Sequence, residues 1–154
     1  IALALQAGQT SVVSYRQPVA SVIKSMGMNY DPHALSHYGG SAVRTDANRL
    51  RDKKCTEMLG KFIDILKRTK ELDGSSLFDH TILSWGTNLR HGHMIKDIPA
   101  IVAGGGGRLK MGHSIVLPEE DTPLGNLWVT LLRQAGVQVN SLGNSTGVLP
   151  ELLI

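Results

Sequence analysis

A single cysteine, Cys55, stands among the 154 residues. One thiol forms no internal disulfide, and a zinc site built on thiolates is excluded. Aromatic residues are sparse, at 5%, which argues against a stacking surface for single-stranded nucleic acid. No apolar run is long enough to cross a bilayer, so no membrane span is expected. There is no P-loop, no dinucleotide fingerprint, no Gly-x-Ser-x-Gly nucleophile elbow and no internal repeat. The chain also lacks a methionine start. It opens Ile1-Ala2-Leu3-Ala4-Leu5-Gln6-Ala7, without the basic start or cleavage site of a signal peptide. These residues read as the end of a helix already under way, and the chain as the C-terminal part of a longer protein.

What is present has an ordinary globular balance, 42% hydrophobic and 19% charged, and predicts a single domain over residues 1–154 with a real core. The net charge is +3. Much of it sits on Lys53, Lys54, Lys61, Lys67, Arg68 and Lys70, where Cys55, Met58, Leu59, Phe62, Ile65 and Leu66 recur at helical spacing. This pattern predicts an amphipathic helix with a solvated basic face, rather than a nucleic-acid surface, and a buried structural thiol at Cys55.

Periodicity and punctuation predict the elements. A β-branched run over residues 10–15 reads as a strand. Residues 16–40 read as a long loop with a short helix over 19–25, and loops of that length are usually functional. A long helix is expected over 45–72, ended by Asp73-Gly74. Residues 79–86 read as a turn and then a buried strand over 81–85, and a second buried strand is expected over 98–103. The glycines at 104–107 read as a flexible connection to a hairpin of 108–111 against 114–117 around Gly112. A last helix opens at Asp121-Thr122-Pro123, capped by Asp121 or Thr122. Its apolar side is Leu127, Val129, Leu131 and Leu132, and Gly136 ends it. Apolar strands alternating with helices predict an α/β fold, a largely parallel sheet flanked by helices.

Four of the six histidines fall in two clusters on loops between these elements: His33-Ala34-Leu35-Ser36-His37-Tyr38 and His91-Gly92-His93. A four-residue spacing puts His33 and His37 on one face of a helical turn, which Asp31-Pro32 is suited to start. Alternate residues of an extended loop point the same way, and Gly92 permits a sharp bend. Imidazole is the commonest transition-metal ligand, and three histidines around an ion with an open fourth position form a catalytic arrangement. The candidate ligands are therefore His33, His37, His91 and His93, with Asp31 or Asp97 as a fourth ligand or an orienting carboxylate. His80 and His113 read as surface residues, and no Ser-His-Asp arrangement is identifiable.

The stretch His33-Ala34-Leu35-Ser36-His37-Tyr38 resembles the signature of the HxxSHH family of uncharacterised bacterial proteins, with Tyr38 where the family has a second consecutive histidine. The resemblance runs along nearly the whole chain. It takes in Leu5-Gln6, Ser11-Val12-Val13, His91-Gly92-His93 and Ile98-Pro99-Ala100-Ile101-Val102-Ala103-Gly104. It continues through Asp121-Thr122-Pro123-Leu124-Gly125-Asn126-Leu127 and Gly143-Asn144-Ser145-Thr146-Gly147. That family is similar to the alkaline phosphatase and sulfatase superfamily. The resemblance implies an alkaline phosphatase-like partial domain with one divalent ion, zinc, held by His33, His37 and His93, with His91 as the less favoured match to the last ligand. It also implies a phosphate or sulfate ester as substrate and an exported, periplasmic location. The superfamily's Asp-His pair for a second ion has no counterpart at Ser84-Trp85-Gly86-Thr87-Asn88, and its nucleophile lies in a part that this chain lacks. The expected function is metal-dependent ester hydrolysis. The alternative is a binding or structural domain on the same scaffold.

Overall fold

The computed structural model describes residues 1–87, 89–118 and 122–154. A short helix α1 (Ala2–Gln6) leads into residues 10–15, which form no strand. Val12, Val13 and Tyr15 are exposed there, and no other segment pairs with them among the described residues. An apolar run that finds neither a ladder nor a core has nothing to hold it as a strand. Helix α2 (Val19–Ser25) occupies the predicted residues and buries Val22 and Ile23.

Helix α3 (Pro32–Ser36) starts as Asp31-Pro32 suggested. Asp31 Oδ1 accepts the amide of Ala34 at 2.8 Å, and proline takes the first helical position, where a missing N–H costs nothing. The long helix α4 (Ala42–Arg68) begins earlier than predicted, because Ser41 caps it by accepting the Arg44 amide. It also ends earlier, at Thr69. Asp73-Gly74 builds the turn beyond it, with Gly74 at φ +87° and Asp73 Oδ1 accepting the Ser75 amide at 2.9 Å. Cys55, Leu59 and Leu66 are buried on one stripe of α4, while Met58 and Ile65 on its flank are exposed.

The largely parallel sheet is not formed. The described residues contain one sheet of two antiparallel strands, β1 (Leu83–Gly86) and β2 (Ala100–Ala103), paired from Leu83 opposite Ala103 to Gly86 opposite Ala100. A parallel pairing needs a crossover that carries the chain back, usually on a helix. Between β1 and β2 the described residues hold only a 3-10 turn at His91–His93, so the chain returns directly alongside β1. Four-residue apolar runs look alike in either direction, and this is why the α/β reading of the sequence fails.

The strand period of two still divides the side chains. Leu83, Trp85 and Ala103 pack with Leu59, Leu66 and Leu77 on the α4 side. Ile82 and Val102 pack on the other side with Leu127 and Leu131 of helix α5 (Gly125–Gln134). The ribbon is thus sandwiched between α4 and α5. A third cluster, Ile23, Leu35 and Ala47, joins α2, α3 and α4.

Three further expectations are corrected. The glycines at 104–107 are a close-packed crossing, not a flexible link: the amides of Gly105 and Gly106 donate to the carbonyls of Phe78 (2.9 Å) and Thr81 (3.1 Å). A Cβ on Gly105 would stand 2.8 Å from the Asp79 carbonyl oxygen. The hairpin around Gly112 is replaced by a bridge between Leu109 and Leu153, because Leu109 is buried in the α5 cluster while Val116 across the expected turn is almost fully exposed. Helix α5 has Leu124 at its N-cap with no side-chain bond, so Thr122 does not cap it. Asp121, the other expected cap, and Asn88 lie outside the described residues.

Candidate metal centre

The site lies where two segments distant in sequence meet. On α3, Leu35 is fully buried against Ile23 and Ala47. That anchor turns His33 and His37 outward together, with ring centroids 4.9 Å apart. The second segment follows the carboxyl end of β1. Its base is clamped by Arg90, whose Nη1 donates to Asp97 Oδ2 at 2.7 Å and whose amide donates to the Met94 carbonyl at 2.8 Å. Within the clamp Gly92 (φ 63°) and His93 (φ 66°) are both left-handed. That conformation costs a non-glycine residue about 1–2 kcal/mol, and here it brings His93 back onto His33 and His37.

His37 Nε2 and His93 Nε2 face each other at 3.2 Å. The ring centroids of His93 stand 4.7 Å from His37 and 5.2 Å from His33. One nitrogen from each of the three rings lies within 4.8 Å of the others, and all three residues are exposed. Two ligands held about 2.0–2.1 Å from a tetrahedral ion stand roughly 3.3 Å apart. The His37–His93 separation is close to that edge, and the His33 nitrogen lies within 4.8 Å of both. The donor set is three imidazoles, close enough together to hold a metal ion. The pKa of His37 is lowered from the usual histidine value, first by desolvation and then by the neighbouring rings of His93, His33 and His91. This favours the neutral ring, which is the form that binds metal.

The remaining sequence candidates are placed elsewhere. His91 is not part of the triad: its Nε2 accepts the Gly39 amide at 3.0 Å, its ring lies 4.6 Å from that of Tyr38, and it stands 6.4 Å from the His37 ring. Asp31 is committed to capping α3 and Asp97 to Arg90, so neither carboxylate joins the three rings. Beside the triad, His33 also lines an open cleft of about 430 Å³ with Arg16, Asp31 and Arg51. Arg51 is largely buried and fixed by Asp52, which accepts from its Nε at 3.0 Å and Nη2 at 2.6 Å.

One constellation escaped the sequence reading. Ser75 Oγ lies 2.5 Å from Asp73 Oδ1 and 2.7 Å from His80 Nε2. It is wired unlike a hydrolytic triad. The hydroxyl donates to Asp73, and the same imidazole nitrogen faces both partners, whereas a triad needs the carboxylate on the other ring nitrogen. These residues stabilise the turn after α4. The Asp-Gly-Ser signal of that turn is legible in sequence, but the reach of His80 is not.

No protein-family model, no curated protein and no solved structure matches this chain.

Proposed function

We propose that His33, His37 and His93 bind one divalent ion, zinc, and that the site serves hydrolysis of a phosphate or sulfate ester. The observation that carries the reading is the convergence of three imidazoles from two distant segments, with the His37–His93 nitrogens at a tetrahedral edge length. The resemblance to the HxxSHH family and, through it, to phosphatases and sulfatases supports the choice of substrate and an exported location. When bound, such an ion supplies Lewis acidity, and three neutral ligands leave its charge undiminished. The protein's own part is to orient the rings: Asp31 through its cap on α3, Leu35 through its burial, and the Arg90–Asp97 pair through the loop. Arg16 lines the adjoining cleft beside His33 and is the cation available there to an ester oxyanion, the Arg51 guanidinium being paired with Asp52.

The test is metal analysis of the wild-type chain and of His37→Ala, with chelator-sensitive turnover of generic phosphate and sulfate esters measured on the longest form of the protein. Equal metal content in both chains refutes the site. Metal loading without turnover refutes the enzyme alone. A second reading, a non-catalytic domain, is favoured by the way the triad joins two segments: an ion there would staple the loop at residues 89–99 to α3. In that case zinc raises thermal stability while no ester is turned over.

A further inference from the structure

We infer that His91 is a positioning residue, the latch that presets the triad by holding the loop at residues 89–99 on the backbone at Gly39; this rests on the metal reading of His33, His37 and His93. Among the described residues, the rings of the triad also join the two segments near the site, with His37 Nε2 and His93 Nε2 at 3.2 Å, but that contact runs from side chain to side chain and fixes the backbone of neither segment. The latch consists of the Gly39 amide donating to His91 Nε2 at 3.0 Å and of the ring contact with Tyr38 at 4.6 Å.

The bond settles how the ring is used. A nitrogen that accepts a backbone N–H has spent the lone pair it would offer an ion, and its ring lies 6.4 Å from His37. His91 and His93 are therefore not interchangeable, although they sit two residues apart in the same turn. The left-handed backbone of Gly92 and His93 sends one ring to Gly39 and the other to His37. The same contact explains residue 39. A Cβ there would lie 2.9 Å from His91 Nε2 and 3.0 Å from its Cε1, so any side chain pushes the latch open. Gly39 has a negative-φ backbone, absent from the left-handed glycines, and close approach of His91 is what its lack of a side chain permits.

The consequence is a division of labour. Three rings bind, and the fourth lowers the cost of bringing them together. Residues that orient ligands without touching the metal typically change its affinity by about 10–100-fold, and the loss expected for His91→Ala lies in that range.

The experiment measures zinc affinity by chelator competition for wild type, His91→Ala, His91→Gln and Gly39→Ala. It adds the visible spectrum of the cobalt-loaded chains and the exchange rate of the Gly39 amide in metal-free protein. Glutamine places an acceptor oxygen near the position of Nε2, so His91→Gln is expected to recover most of the affinity that His91→Ala loses. Gly39→Ala is expected to lose it although every histidine remains. The cobalt spectrum stays the same throughout, and Gly39 exchanges faster in His91→Ala. Unchanged affinity in His91→Ala overturns the inference, as does a changed cobalt spectrum without rescue by glutamine, which would make His91 a ligand. Absence of zinc binding in the wild type overturns the metal reading instead. Gly39 exchange tells that failure from failure of the latch, because it reads the contact with no metal present.

Discussion

His37 and His93 come from segments 56 positions apart, yet their Nε2 atoms stand 3.2 Å apart, within hydrogen-bond reach of each other and close to the separation that a shared ion would impose. That pair sets the expected ranking of ligand variants. Removing a ligand removes a bond to the ion, whereas removing an orienting group removes only preorganisation. His37→Ala and His93→Ala are therefore expected to lose more zinc affinity than the roughly 10–100-fold typical of orienting residues, as read by chelator competition. A ligand variant that binds as tightly as wild type would place the ion elsewhere.

The pH dependence follows from the lowered pKa of His37, set first by desolvation and then by its histidine neighbours. The unfolded chain takes up this proton at the ordinary histidine value of 6.5, and the folded chain only below it. The unfolded state thus binds more protons over that interval, so stability rises with pH there. The contribution is complete above pH 6.5 and is lost as pH falls through the folded value. A proton NMR titration of the metal-free chain is expected to give His37 a midpoint under 6.5. A midpoint above it would mean that the rings do not crowd one another.

Two glycine substitutions should move stability in opposite directions. At Gly105 a Cβ meets the Asp79 backbone at 2.8 Å, and the backbone cannot rotate away as a flexible side chain would. Gly105→Ala is expected to cost about 1–3 kcal/mol, the usual range for overpacking. Gly60 lies inside α4 with nothing near its would-be Cβ, so Gly60→Ala should stabilise by about 0.5–1 kcal/mol through helix propensity. Denaturant melts of both variants check the signs. A neutral Gly105→Ala would mean that the crossing at 104–107 is loose, as the sequence alone suggested.

Asn126 is buried at the start of α5. Its Oδ1 accepts the amides of Thr146 (2.7 Å) and Gly147 (3.3 Å), and its Nδ2 donates to Thr146 Oγ1 at 3.0 Å. Asn126→Ala leaves buried partners unmade, at an expected cost of about 1–3 kcal/mol. Limited proteolysis should then open the tail beyond residue 140 before the rest of the chain. Simultaneous cleavage throughout would show that Asn126 does not hold the tail as a unit.

The short helix at residues 19–25, the long basic helix and the turn at Asp31-Pro32 were legible because each is set by local signals: spacing, caps and proline. The histidine cluster was legible in part, since chain spacing brings His33 to His37 but does not separate His91 from His93. That distinction depends on Gly39, which lies in the other segment. Strand direction was not legible, because Leu83–Gly86 and Ala100–Ala103 carry no mark of parallel or antiparallel pairing. The glycines at 104–107 were misread because composition shows freedom of the backbone and not what presses against it. The segments around Asn126 and Gly143-Asn144-Ser145-Thr146-Gly147 are joined by the Asn126 side chain, which gives them a role in holding the tail.

The central claim is that three imidazoles form one metal site, and X-ray absorption at the zinc edge of the stoichiometrically loaded chain tests it most directly. The account predicts one zinc per chain with three imidazole nitrogens at about 2.0–2.1 Å and one further light ligand. A chain that retains no zinc, or a shell of oxygens without imidazole scattering, would contradict it.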